Sequence, residues 1–262
     1  MREFSVPPLV TLPPHGGLAD AIFENAEKNP DHVALQRKVD GRWQDVTAAQ
    51  FRDEVLALAK GLLAEGLRFG DRVAIMSRTR YEWTLFDYAL ATIGAQSVPI
   101  YPTSSSEQVA WILQDSGAMA CVVEHEDHAM TVGAVIDRFP QVTKLWQLDT
   151  GAIEHLMDAG KAIPTEVVER HRRAVTPDAT ATIVYTSGTT GTPKGCVLTH
   201  ANFMAECDNI MERYENVFKP RPGIDASTIL FLPLAHVFGR MIQNCCLRSG
   251  VRLGHQPSMV AA

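Results

Sequence analysis

Short apolar runs alternate with helix-patterned stretches along this chain, and that alternation limits its possible folds more than any other feature. Arg72–Met76 is a brief apolar run, and Tyr81–Ile93 follows with Trp83, Phe86, Leu90 and Ile93 at helical spacing. The order then repeats. A strand at 97–100 precedes a helix that opens at Ser106 and ends at Gly117; Ala120–Val123 precedes a helix to Phe139; a strand at 144–148 precedes two short helical stretches up to Arg173. Strands parted by helices of roughly ten to fifteen residues build βαβ units. The expectation is an α/β fold of mainly parallel sheets flanked by helices.

Both flanks obey the same grammar. Residues 18–28 read as a helix stopped by Asn29-Pro30, and Val33–Val39 runs into Asp40-Gly41, a hairpin signal. Thr47 caps a helix carrying Phe51, Val55, Leu58 and Leu62, which Gly66 can end. A connector at 175–178 contains Pro177 and divides the chain into a first α/β part, 1–174, and a second part, 175–262. The second part offers a strand at 181–185, a short apolar run at 196–198, and a helix from the cap Thr199 to about Tyr214. A polar loop at 216–226, a strand at 228–232, a helical face of Val237, Phe238, Met241, Ile242 and Cys245, and a strand at 251–253 complete it.

Composition removes whole classes of function. The net charge of -6 leaves no basic excess for a nucleic-acid backbone and disfavours adhesion to anionic lipid. The five cysteines show no CxxC or zinc-ligand spacing, which points to a reducing, cytoplasmic setting. The proline-rich start is not a secretory signal, and no stretch reaches the ~18 apolar residues of a bilayer span, so any membrane contact is peripheral.

The densest chemical signal lies between two apolar runs: Tyr185-Thr186-Ser187-Gly188-Thr189-Thr190-Gly191-Thr192-Pro193-Lys194-Gly195. Glycines let a backbone curl until several N–H groups point at one anion. Hydroxyls add short donors, Pro193 stiffens the approach and Lys194 brings a fixed positive charge. A polyphosphate is the natural guest. A flexible Gly/Ser/Thr linker would share the composition, but it would not need the apolar brackets or the Pro-Lys-Gly ending. A P-loop would need Gly-x4-Gly-Lys-Ser/Thr opening into a helix. Here Gly188 and Gly191 stand too close, and Cys196-Val197-Leu198 reads as a strand. The segment is therefore expected to join two strands as a hairpin-like turn.

That segment, with Val197-Leu198-Thr199-His200-Ala201-Asn202 after it, resembles the phosphate signature of the adenylate-forming superfamily. Phe231-Leu232-Pro233-Leu234-Ala235-His236-Val237-Phe238-Gly239-Arg240 resembles the next signature of its long-chain acyl-CoA synthetases. Gly70-Asp71-Arg72-Val73-Ala74-Ile75, Arg80-Tyr81-Glu82-Trp83 and Val98-Pro99-Ile100-Tyr101 look most like bacterial long-chain members. The resemblance implies an incomplete N-terminal adenylation domain. It implies ATP, Mg²⁺ and coenzyme A as cofactors or co-substrates, and a fatty acid as the carboxylate.

By the same resemblance, Thr186, Ser187, Gly188, Thr189, Thr190, Gly191 and Lys194 would hold the β- and γ-phosphates. Thr186 would lie near Mg²⁺, and Lys194 would neutralise the departing pyrophosphate. His236, which by itself reads as a satisfied core histidine, would line the pocket where carboxylate meets nucleotide, without being an obligatory base. The family's Tyr-Gly-x-Thr-Glu signature and mobile C-terminal lobe do not occur in this sequence. The expectation is a weakly active or inactive polypeptide with an aggregation-prone sheet edge. The rival readings are a non-catalytic nucleotide- or lipid-binding module and an adenylating ligase for another carboxylate.

Two further groups carry a bland and a sharp reading. Glu124-His125-Glu126-Asp127-His128 could hold a metal but reads better as the acidic first turn of a helix. Trp83, Phe86 and Trp111 could line a lipid groove, but their helical spacing reads as core.

Overall fold

A computed structural model describes residues 7–186, 193–218 and 225–257. In chain order the elements are α1 (Asp20–Lys28), β1 (Val33–Val39), β2 (Arg42–Thr47), α2 (Ala48–Ala64), β3 (Arg72–Met76), α3 (Tyr81–Ile93) and β4 (Gln96–Ile100). Then come α4 (Ser106–Ser116), β5 (Ala120–Val123), α5 (Glu126–Ile136), β6 (Lys144–Gln147), α6 (Ala152–Ala159) and α7 (Thr165–Ala174). The remainder is β7 (Thr180–Thr186), β8 (Lys194–Thr199), α8 (His200–Arg213), α9 (Glu215–Phe218), β9 (Ser227–Leu230), α10 (Val237–Ser249) and β10 (Arg252–His255).

Local chemistry explains the boundaries. Thr47, Ser105 and Thr199 each cap a helix with a reciprocal capping box, so the first N–H groups of α2, α4 and α8 are satisfied. Gly94 and Gly117 end α3 and α4 in the left-handed conformation that glycine adopts without steric cost. Several boundaries differ from expectation; the strand expected at 228–232, for instance, is Ser227–Leu230, and Leu148 begins a 3-10 turn instead of ending β6. The expected loop at 216–226 begins as the short helix α9, because Val217 and Phe218 both donate to the Tyr214 carbonyl. Helix α5 stops at Ile136, and turn bonds from Arg138 and Phe139 replace its last expected turn.

Two sheets result. The larger has the order β6-β5-β3-β4-β7-β8 and is parallel except for the antiparallel β7/β8 hairpin. The smaller has the order β2-β1-β10-β9, with β10 lying parallel between β1 and β9. Each sheet takes strands from both 1–174 and 175–262.

Successive residues of a strand point to opposite faces, and here both faces of the larger sheet are buried. Val73 and Ile75 of β3 join a core with Ala120 and Val122 of β5, α2, α3 and the smaller sheet's Leu35 and Leu253. Ala74, Met76, Cys121 and Val123, one step out of phase, join a second core with α4 and α5. This double burial explains why these strands read as continuous apolar runs. Trp83 and Phe86 are wholly buried, as expected of core; Trp111 is not. At 37% exposure it stands on the open face of α4, and its indole N–H donates to the Pro193 carbonyl at 2.8 Å. The edge strands β8 and β9 leave Val197 and Ile229 exposed.

Two buried histidines give the fold an acid limit. His200 accepts from the Leu18 backbone N–H through Nδ1 at 3.2 Å, and His255 lies 2.7 Å from the Thr84 hydroxyl. Burial lowers both from 6.5 to about 4, with Arg240 adding to the effect at His200. The unfolded chain takes up these protons first, so stability is complete above pH 6.5 and declines as pH drops toward 4. Each ring contributes at most roughly 3 kcal/mol to that decline. Urea unfolding followed from about pH 7 down to about 4.5 is expected to show the loss, and His255→Asn to flatten it. An unchanged slope in that variant would place the titration elsewhere.

Candidate functional site

The parallel strands of the larger sheet end on one side, and there the sequence motifs converge. Tyr101 follows β4, Thr186 closes β7, and Lys194 opens β8. Crevices outside the carboxyl ends of parallel strands are the usual ligand sites of open α/β sheets. Thr186 pairs with Lys194 and Tyr185 with Gly195, so an antiparallel ladder closes the base of the expected turn. Ser187, Gly188, Thr189, Thr190 and Gly191 lie outside the described residues.

A groove of about 330 Å³ opens at this point. Its lining includes Tyr101, Gln108 and Ile112, the hairpin residues Thr186 and Pro193, and His236 with Val237. Thr186 and His236, expected to share a site from widely separated motifs, therefore meet in one cavity. Lys194 stands beside Pro193, exposed at the start of β8.

His236 is exposed, and it owes its place to helix capping. Its Nδ1 accepts the Phe238 backbone N–H at 3.2 Å at the start of α10. A neutral imidazole that accepts at Nδ1 carries its proton on Nε2 and can offer that N–H as a donor. Gly239 permits the turn, because a Cβ there would fall 2.6 Å from the Pro233 carbonyl oxygen.

Arg240, one helical turn on, is 1% exposed. Its guanidinium reaches both carboxylate oxygens of Asp87 at 2.7 and 2.8 Å and lies over the rings of Trp83 and Phe203. Asp87 also accepts from the Ser97 hydroxyl of β4 at 2.8 Å. The pair thus ties α10, and with it His236, to α3 and the larger sheet. Sequence reading assigned neither residue a role. The signal was Asp87 itself, a carboxylate in the middle of a largely apolar helix, which needs a buried partner.

The Glu124, His125 and His128 cluster brings three potential ligand atoms within 4.8 Å of one another. The Glu124 carboxylate is already engaged. One oxygen accepts Arg78 Nε at 2.9 Å and its terminal nitrogen at 2.6 Å; the other accepts the Arg78 backbone N–H at 2.7 Å and the Ser77 hydroxyl at 3.3 Å. The two imidazoles stack at 4.0 Å instead of converging edge-on. Glu124 thus forms an ion pair with Arg78 beside the acidic first turn of α5.

A family model for AMP-binding enzymes matches residues 22–261. The chain belongs to the AMP-binding enzyme family. It is 40% identical over 258 residues to the long-chain-fatty-acid–CoA ligase FadD15 of Mycobacterium bovis, covering 97% of this chain and 42% of that ligase. The chain thus spans less than half the length of the curated relatives it matches. A crystal structure of the N-terminal domain of FACL13 from Mycobacterium tuberculosis, with an inhibitor bound, superposes with a TM-score of 0.75 at 26% identity, covering 94% of this chain and 58% of that one. A long-chain-fatty-acid-CoA ligase (FadD1) from Archaeoglobus fulgidus gives a TM-score of 0.78 at 23% identity over 94% of this chain and 48% of its own, and so shares the fold. The fold is accordingly that of part of the N-terminal domain of adenylate-forming enzymes.

Breaking the buried pair is expected to be costly. Asp87→Ala leaves a guanidinium unpaired in the core and should lower the unfolding free energy by roughly 3–5 kcal/mol. The double variant Asp87→Leu with Arg240→Met should recover most of that loss, because apolar pairs replace buried ion pairs at little net cost. Urea unfolding of both variants measures the difference.

Proposed function

We propose that this chain supplies the nucleotide-phosphate site of an ATP-dependent ligase that activates long-chain fatty acids for transfer to coenzyme A. The observation that carries the reading is the single groove to which the Thr186 arm of the hairpin and His236 both contribute. Kinship with long-chain ligases supports the choice of carboxylate.

A fatty acid is ionised at neutral pH, so no base is needed to make it a nucleophile. Its carboxylate oxygen attacks the α-phosphorus of ATP, the bond to the bridging oxygen breaks, and pyrophosphate leaves with the electron pair. The thiolate of coenzyme A then displaces AMP from the acyl-adenylate to give the thioester. The protein's share in the first step is positioning and electrostatic stabilisation. Lys194 offsets charge on the leaving pyrophosphate, the loop hydroxyls and amides hold its oxygens, and the His236 Nε2–H faces the reacting carboxylate.

The groove fits Mg²⁺ carried in on the nucleotide. Among the lining residues Thr186 offers a hard hydroxyl oxygen, which would supply one protein ligand beside phosphate and water oxygens; none of the lining residues is a carboxylate. Bound there, Mg²⁺ would supply charge neutralisation across the phosphates. Five unpaired cysteines suit a reducing cytoplasm. No helix among the described residues is long and apolar enough to cross a membrane.

Lys194→Ala is expected to weaken MgATP binding about ten- to a hundredfold, the worth of one charge-assisted contact. Isothermal titration of the unmodified and variant chains checks it, and equal affinities would sink the assignment. Pyrophosphate release from MgATP and palmitate by this chain alone is expected near background. Turnover matching a full-length relative would refute the weak-fragment reading.

A further inference from the structure

One face of α4 grips both arms of the hairpin. Trp111 and Asp115 stand four residues apart on this helix and so share a face. The Trp111 indole N–H donates to the carbonyl of Pro193, on the arm that leads into β8, at 2.8 Å. The Asp115 carboxylate accepts from the hydroxyl of Tyr185, on the arm that ends β7, at 2.6 Å. One contact therefore falls on each side of the turn.

The remaining details fit this arrangement. Gly195 stands opposite Tyr185 in the ladder, and a Cβ there would lie 3.1 Å from the tyrosine ring and 2.9 Å from Ile183. Glycine at this position leaves the ring room to lie across the hairpin. Burial, with the Asp115 carboxylate beside it, raises the Tyr185 pKa, so the hydroxyl keeps its proton and remains a donor. Trp111, more than a third exposed, buries less than a core tryptophan would; its N–H is the group with a specific partner. Gln108 and Ile112 of the same helix line the groove, so α4 sets one wall of the cavity and the spacing of the hairpin arms together.

We propose that Trp111 and Asp115 are positioning residues for the two arms of the β7/β8 hairpin: they hold Pro193 and Tyr185 at a fixed separation, so that Thr186 and Lys194 meet a polyphosphate already oriented. The proposal rests on the polyphosphate reading of that turn. Residues that become ordered only on binding cost conformational entropy at that moment. Holding both arms in place before the ligand arrives removes part of that cost from binding.

Trp111→Phe and Tyr185→Phe each delete one hydrogen bond and keep a ring in place. Trp43→Phe, on the exposed strand β2, is the control. Two quantities are read: the MgATP dissociation constant by isothermal titration, and amide exchange at Thr186, Lys194 and Gly195 without nucleotide. Each of the first two variants is expected to weaken MgATP about three- to tenfold and to speed exchange at the stem, while the control changes neither. Asp115→Ala should behave like Tyr185→Phe. Asp115→Asn, which keeps an acceptor, should bind like the unmodified chain, a rescue that a general packing role would not give. Variants that bind and exchange like the unmodified chain overturn the proposal. An unmodified chain that binds no MgATP, with stem exchange still raised in the variants, sinks the polyphosphate reading and supports the clamp.

Discussion

Asp87 and Arg240 share a salt bridge in the interior, and the placement of the groove depends on it. The carboxylate lies on α3, a helix buried on nearly every side, and also takes a hydrogen bond from β4. The guanidinium comes from α10, whose far end runs into β10 of the smaller sheet. A buried pair of this kind adds little net stability compared with apolar residues of the same size. What it adds is registry: sliding α10 along α3 would part the two charges inside the core. Because His236 caps the start of α10, that seating also decides where the histidine meets the groove.

The groove is assembled from segments that touch nowhere in the sequence. Its walls come from α4, from the β7/β8 hairpin and from the start of α10. Each is anchored separately: α10 by Arg240, the hairpin by Trp111 and Asp115, and α4 by its packing on the second core. The sheet and its helices thus fix Tyr185, Pro193 and His236 around one groove.

Much of this was legible beforehand, for identifiable reasons. Tyr81–Ile93 and Ala120–Val123 fell where periodicity and glycine stops put them, because those signals are local. The β7/β8 hairpin was legible because Cys196-Val197-Leu198 reads as a strand where a P-loop would open a helix. The role of Trp111 was not. Helical spacing says which residues share a face but not what that face meets, and the partner of Trp111 lies 82 residues away. The division into two sheets was equally hidden, since strand pairing is a long-range choice. Arg240 stood inside a recognised motif, yet its partner Asp87 registered only as an interruption of an apolar run.

The pairing of β1 with β10 has a consequence for how the chain comes to be folded. More than two hundred residues separate Leu35 from its neighbour Leu253. At ribosomal rates of about 5–20 residues per second, the first hairpin waits roughly ten to forty seconds for that neighbour to be made. During that interval the β1 edge is an unsatisfied row of amides and carbonyls on a nascent polypeptide, and every strand of the larger sheet, through β8 at Thr199, is made before its neighbour arrives. The order of synthesis therefore leaves the smaller sheet to close last and makes it the place where a chaperone or a wrong strand would compete.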